Sequence, residues 1–208
     1  MTPRPLTIRE VEIKLRVGDL PALLEKIRGL GVRPPIRVLE QNVLYDTPES
    51  DFRRRGQLLR LRIETLAPKS VPKRFRRKFK RVRSQAILTS KVPVPDIRPP
   101  RFKEKIETEV SVPNPEAWRR AIQRLGLREG FRYEKYRTSF RFGEAHLDLD
   151  ETCVGNFLEI EGQPAAIDRI ARRLGFSPQN YIRATYWDLY VEDCRRRGRK
   201  TGNMLFVD

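Results

Sequence analysis

The sequence predicts an α+β fold: an antiparallel-rich sheet of eight strands with amphipathic helices packed on its outside. Three observations carry that expectation. Apolar and polar residues alternate with period two in eight stretches, helical spacing fills several of the gaps, and a strand-then-helix unit recurs three times. At 208 residues the chain is long enough for one generous domain, and 38% hydrophobic content with ten Phe and six Tyr is too apolar for a disordered basic tail.

The strands are expected at about 8–17, 37–46, 57–64, 84–92, 102–112, 132–142, 144–151 and 156–162. After the first, Asp19 caps a helix in which Leu20, Leu23, Leu24, Ile27 and Leu30 recur at helical spacing before Gly31 stops it. Asn114 and Pro115 open a second helix, which carries Trp118, Ala121, Ile122 and Leu125 up to Gly126. A third runs from Pro164 through Ile167, Ile170 and Leu174 to Gly175, and a last spans Ala184 to Arg197. The recurring unit is EVEIKLRVGDLPALLEKIRGLG, ETEVSVPNPEAWRRAIQRLG and EIEGQPAAIDRIARRLG, a Glu-x-Glu strand followed by a helix ending in Leu-Gly. Copies separated by differing numbers of strands indicate pseudo-symmetry within one domain rather than a solenoid.

Lys and Arg number 44 against 27 Asp and Glu, a formal net charge of +17, which points to a polyanionic partner without naming it. Cys153 and Cys194 form no C-x-x-C pair, so reduced structural thiols are expected, and a single histidine, His146, excludes any site needing two imidazoles. The chain has neither a G-x-x-x-x-G-K-[ST] nor a G-x-G-x-x-G loop, so any phosphate must be bound by side chains. No window nears the ~18 to 20 apolar residues of a membrane span, and the reading is a cytoplasmic protein with no membrane partner. Nine of the ten basic residues between 65 and 95 fall in KSVPKRFRRKFKRVR, residues 69–83, which reads as a solvated loop, with nucleic-acid binding the alternative. The basic tail after Cys194 is expected to fray.

The informative pattern is which charges share a strand face. Glu10, Glu12 and Lys14 lie opposite Val11, Ile13 and Leu15; Arg60 and Arg62 oppose Leu59, Leu61 and Ile63. Lys103, Lys105, Glu107 and Glu109 share one parity, as do Lys135, Arg137 and Arg141, Asp148 and Asp150, and Glu159 and Glu161. An ordinary sheet with one wet face would alternate in this way too. Against that reading, like charges pair on the same face, and the four helices need the aliphatic face to cover. If the sheet rolls up beneath them, the charged face becomes the lining of a barrel. Confined carboxylates and bases of this kind suit a divalent cation, Mg2+ or Mn2+, together with a polyphosphate.

These residues closely resemble the CYTH family, the triphosphate tunnel metalloenzymes that include class IV adenylyl cyclases, thiamine triphosphatases and inorganic triphosphatases. Its E-x-E-x-K hallmark stands here as Glu10, Glu12 and Lys14. QNVLYDTPESDFRRRGQLLRLR, AILTSK, KIETEV, RYEKYRTSFRF and LDLDETCVGNFLEIEG follow in the family's order. The resemblance implies one domain over 8–190 with a basic tail over 191–208, and an eight-stranded antiparallel β-barrel, the tunnel, with helices outside. It also implies Glu10, Glu12, Glu107, Glu109, Asp150, Glu159 and Glu161 as metal-binding carboxylates. Lys14, Arg60, Arg62, Lys91, Lys135 and Arg137 match its triphosphate-binding bases, with Lys103 and Lys105 added from the central strand. The catalytic set is Glu10, Glu12, Lys14, Arg60, Arg62, Lys91, Lys135 and Arg137.

The implied partner is a triphosphate-containing small molecule, bound by a monomer or homodimer, with nucleic acid not expected. The reading is a metal-dependent hydrolase of inorganic, thiamine or nucleoside triphosphate, with a class IV adenylyl cyclase making cyclic AMP as the alternative. Two arguments favour hydrolysis: the cationic surplus suits a bare polyphosphate, and Ser90 in LTSK stands where many members carry an aromatic. Because confined bases repel one another, removing one is further expected to raise the melting temperature of the ligand-free protein. A module that binds polyphosphate or RNA without catalysis is the third reading.

Overall fold

The computed structural model describes residues 6–32, 35–67, 84–95 and 101–206. Eight strands close into one antiparallel barrel: β1 (Leu6–Val17), β2 (Ile36–Asp46), β3 (Leu58–Leu66), β4 (Ser84–Pro93), β5 (Lys103–Ser111), β6 (Arg128–Phe142), β7 (Ala145–Thr152) and β8 (Gly155–Glu161). The order around the barrel is β1-β5-β4-β3-β2-β6-β7-β8, and β8 pairs back onto β1. Closure leaves no free sheet edge and separates an inner from an outer face on every strand. All eight expected strands form, mostly within two residues of their expected ends; β6 starts four residues earlier.

The helices form where caps and apolar spacing place them. In α1 (Leu20–Arg28) the Asp19 side chain accepts the Ala22 N–H at 2.9 Å, and in α3 (Pro115–Arg124) Asn114 accepts that of Ala117 at 3.0 Å. α4 (Pro164–Leu174) ends at Gly175, whose φ of 92° is the left-handed cap glycine adopts without strain. α5 (Tyr186–Arg196) starts behind a reciprocal Thr185–Asp188 capping box. The sequence reading missed α2 (Asp51–Arg54), a single turn whose amides at Phe52 and Arg53 are held by the Asp46 carboxylate.

Three apolar clusters fix this arrangement. α1 and α4 cover the outer aliphatic face of β1, β7 and β8, burying Ile13, Leu15, Leu147, Leu158 and Ile160 against Ile27, Ile167 and Ile170. Ile122 of α3 packs on Val43, Leu61 and Ala86. α5 does something different: Tyr186, Leu189 and Tyr190 pack with Phe131, Tyr133 and Phe157, aromatics whose strand parity points them inward, so this helix closes on one end of the barrel. The tail does not fray in its described part, because Met204 is fully buried and pairs with β6 through the Arg132 carbonyl and the Glu134 amide. The basic segment 69–83 lies outside the described residues. Among the described residues no helix is long and apolar enough to cross a membrane.

Candidate active site in the barrel

The three recurring Glu-x-Glu strands, β1, β5 and β8, lie side by side in the closed sheet, with β1 in the middle. Six carboxylates therefore share one wall of the interior: Glu10, Glu12, Glu107, Glu109, Glu159 and Glu161. The register sets Glu12 directly opposite Glu161 across β1 and β8, a like-charge pair that costs stability unless a cation stands nearby. Lysines from the neighbouring strands supply that charge. Lys91 Nζ lies 2.7 Å from both Glu10 oxygens and 3.1 Å from Glu107, and Lys103 Nζ bonds to Glu12.

The facing wall, built by β2, β3, β6 and β7, is basic around a buried acidic centre. Arg62 Nη1 lies 3.4 Å from Glu40 and 3.0 Å from Glu64, while Lys135 Nζ reaches Glu40 at 3.5 Å and Asp150 at 2.8 Å. Arg137 spans Asp148 at 2.9 Å, Asp150 at 2.7 Å and Glu159. Lys14, from the acidic wall, pairs with Glu159 at 3.1 Å and donates to the Ala184 carbonyl at 3.2 Å. Arg60 donates to Thr89 at 3.2 Å and Tyr133 at 3.3 Å, and lies 3.5 Å from Glu109. The interior thus brings together every site residue expected from sequence, although Lys105 sits at the exposed end and donates to the Gly56 carbonyl.

Sequence reading missed Glu40, Asn42, Thr89, Tyr133 and Tyr186. Glu40 and Asn42 share a parity in β2 and are buried, but RVLEQNVLYD mixes polar and apolar residues on both faces, so its alternation is weak. Tyr186 had no strand signal at all. It enters from α5, donates to Asp150 at 2.5 Å, and has the Lys14 and Lys135 ammoniums 4.5 and 4.9 Å from its ring centre. Ser90 faces outward and is exposed, so it bears on nothing in the tunnel.

Electrostatics divide the carboxylates into two kinds. Burial alone would raise Glu40, but Arg62, Lys135 and Arg137 outweigh it and hold its carboxyl well below the usual range. Glu12 is treated likewise: burial opposes ionisation, Lys103 overcomes it, and the carboxyl sits at about 2. Glu161 goes the other way. Burial, then the charges of Glu10, Glu12 and Glu107, push it up to about 7, and burial with Glu10 and Glu109 does the same to Glu107 against the pull of Lys91. The acidic wall therefore carries more negative charge than its lysines neutralise.

Two features bear on ligands. Arg60 Nε and Arg62 Nε are buried donors with no acceptor among the described residues, and both side chains line a cavity of about 770 Å³. Among the described residues no three carboxylates stand close enough together to hold a metal ion as they are, because ammoniums lie between them. The donor set nonetheless fits a hard divalent cation, since it is all carboxylate oxygen and two of its members are pushed towards protonation by their like-charged neighbours. Asp150 fits that role poorly, because Lys135, Arg137 and Tyr186 already occupy its oxygens.

Comparison with known proteins agrees with this geometry. A Methanocaldococcus jannaschii protein called "Putative adenylate cyclase" is 24% identical over 191 residues, covering 86% of this chain and 97% of its own. Among solved structures, a Pyrococcus horikoshii protein superposes with a TM-score of 0.67 at 24% identity over 88% of this chain and 99% of its own. A Hippeastrum protein, described as a "putative adenylyl cyclase" with a dominant triphosphatase activity, superposes with a TM-score of 0.53 at 18% identity, covering 92% and 97%. The family model described as the CYTH domain matches residues 9–186. With its closed eight-stranded barrel and charged interior, the chain belongs to the CYTH domain family.

Proposed function

We propose that this protein is an enzyme that binds a triphosphate inside the barrel with a divalent cation, Mg2+ or Mn2+, and hydrolyses it. The observation that carries this reading is that Arg60 and Arg62 both line the cavity and each keeps a buried Nε donor with no acceptor among the described residues. A buried donor without an acceptor costs about 1 to 3 kcal/mol, and a phosphate oxygen removes that cost with a charge-assisted bond. Lys14, Arg60, Arg62, Lys135 and Arg137 bind the phosphate chain, while Glu40, Asp150 and Tyr186 orient those bases. Glu10, Glu12, Glu107 and Glu161, with Glu109 and Glu159 as further carboxylates of the set, would hold the cation, and Lys91 and Lys103, which now pair with Glu10, Glu107 and Glu12, would then be free to bind phosphate oxygens. The cation, when bound, neutralises charge on the transferring phosphoryl group. The side chains hold the chain of phosphates in line and exclude bulk water from all but the attacking position.

One sequence argument for hydrolysis loses its footing, because Ser90 lies outside the tunnel. The other changes its meaning: interior acids match interior bases nearly one for one, so the +17 surplus is carried elsewhere. What supports hydrolysis is that the charged interior needs only water as nucleophile, whereas cyclisation also needs a ribose 3'-hydroxyl held at the α-phosphorus. The name of the Methanocaldococcus jannaschii relative favours the cyclase as second reading, whereas the Hippeastrum protein, also called a "putative adenylyl cyclase", is described with a dominant triphosphatase activity. Incubation with tripolyphosphate, thiamine triphosphate and ATP under each cation, with products separated, decides. Orthophosphate as main product is expected; cyclic AMP with pyrophosphate would replace hydrolysis by cyclisation, and no binding of any triphosphate would overturn the tunnel reading.

A further inference from the structure

The two cysteines of the chain, far apart in the sequence, are brought to one place by the fold. Cys153 is exposed in the turn between β7 and β8, Cys194 is buried in the last turn of α5, and both are free thiols. The β7–β8 turn is pinned: the Thr152 hydroxyl donates to the Gly155 carbonyl at 2.7 Å and accepts the Val154 amide at 3.2 Å. Val154, next to Cys153, is buried in the same apolar cluster as Leu189, Tyr190 and Cys194, so the turn packs on the end of α5. Around the thiols, the Tyr190 hydroxyl lies near both, and Cys153 is within electrostatic reach of Cys194, Asp193 and Arg199. Beyond the helix the chain folds back, with the Arg199 amide donating to the Cys194 carbonyl at 2.9 Å. Packing accounts for Cys194, a small apolar side chain among aromatics, but not for an exposed cysteine beside it.

We propose that Cys153 and Cys194 form a redox modification site, joining on oxidation in a disulfide that staples α5 to the β7–β8 turn. The reaction is exchange with a low-molecular-weight disulfide. The exposed Cys153 loses its proton and attacks one sulfur of that molecule, expelling a small thiolate; Cys194 then loses its proton and attacks the Cys153 sulfur, expelling the second. One S–S bond in the protein replaces one in the oxidant, the two cysteines give up two electrons, and their two protons pass through solvent to the expelled thiolates. Burial, then the charge of Asp193, holds the Cys153 thiol above its ordinary range, so its thiolate is scarce and the bridge forms slowly, as a lasting link rather than a fast sensor. Once formed, it closes a loop of about 40 residues and restricts the unfolded chain accordingly. The gain falls on α5, whose Tyr186 holds Asp150 at the opposite end of the helix. The bridge does not depend on whether the barrel binds a triphosphate.

The test incubates the full chain under native conditions with oxidised glutathione or with dithiothreitol, blocks the remaining thiols with iodoacetamide and reads the mass. The oxidised chain should be two hydrogens lighter than the reduced chain before labelling, take up no label, and release on digestion a peptide pair joined through Cys153 and Cys194. Its melting temperature should exceed that of the reduced chain by about 5 to 10 °C, with slower amide exchange in α5. Cys153→Ser, a change at an exposed position, should form no bridge and show no such rise with oxidant. The comparison of the unaltered chain with itself, oxidised against reduced, needs no variant to fold. Labelling of both cysteines after oxidation, arrest at a glutathione adduct on Cys153, a bridge only between two chains, or an internal bridge that leaves the melting temperature unchanged would each overturn the staple.

Discussion

At the scale of single residues, the interior is a set of matched pairs, and this reverses one expectation drawn from charge alone. Removing a base should not raise the melting temperature of the ligand-free protein, because each base has a carboxylate waiting behind it. Arg62→Ala or Lys135→Ala leaves Glu40, fully buried, with one partner fewer, at a cost of about 3 to 5 kcal/mol for a broken buried pair. Thermal unfolding checks this, and an unchanged or raised melting temperature would refute the pairing. Both variants should also bind tripolyphosphate more weakly by about 1.5 to 3 kcal/mol per lost charge-assisted contact, read by calorimetry. For the carboxylates, Glu10→Gln or Glu12→Gln keeps shape and removes charge, so activity should fall about a hundredfold or more with the fold intact. Wild-type rates at limiting cation would remove these residues from the metal set.

At the scale of elements, α5 links the C-terminal part of the chain to the site. Tyr186 holds Asp150, and Asp150 holds Lys135 and Arg137, so helix docking and placement of these two inward-facing bases are one event. Tyr186→Phe deletes one bond to a buried carboxylate and should cost about 1 to 3 kcal/mol. The accompanying sign is faster amide exchange across 186–196 than in α3, measured by hydrogen–deuterium exchange. Equal protection of both helices in the variant would mean that α5 is held by its apolar face without help from the tunnel. The same scale shows why α5 was legible as a helix and illegible as part of the site. Its caps and apolar spacing are local, while the neighbours of Tyr186 come from β1, β6 and β7.

At the scale of the whole molecule, the two kinds of carboxylate give stability opposite dependences on pH. Glu12, lowered from 4.5 to about 2, contributes stability that is present above 4.5 and is lost as pH falls through 2. Glu161 and Glu107, raised from 4.5 to about 7, bind protons more tightly in the folded protein, so their ionisation removes stability as pH rises from 4.5 through 7. Without divalent cation the melting temperature should therefore decline from pH 4.5 to 7.5, and Mg2+ or Mn2+ should reduce that decline by supplying the missing positive charge. Thermal scans in chelator and in excess cation test this. A profile that rises over that interval in chelator, or that cation leaves untouched, would contradict the crowding of the acidic wall.

What the sequence determined by itself was periodic. Side chains two residues apart share a strand face, and residues three or four apart share a helix face, so eight strands, four helices and the charged parities of Glu10, Arg60, Lys135 and Glu159 could be read without coordinates. The three Glu-x-Glu repeats were visible as well. Only closure of the barrel decided that β8, β1 and β5 are neighbours, that these repeats make one acidic wall, and that it faces Arg62 and Arg137 across a buried Glu40. Strand order is set by which apolar faces the helices bury and by which edges remain to pair, interactions between residues far apart in the chain. For the same reason Tyr186 entered the site unannounced: it arrives through the packing of a helix, and no spacing within the helix records what it packs against.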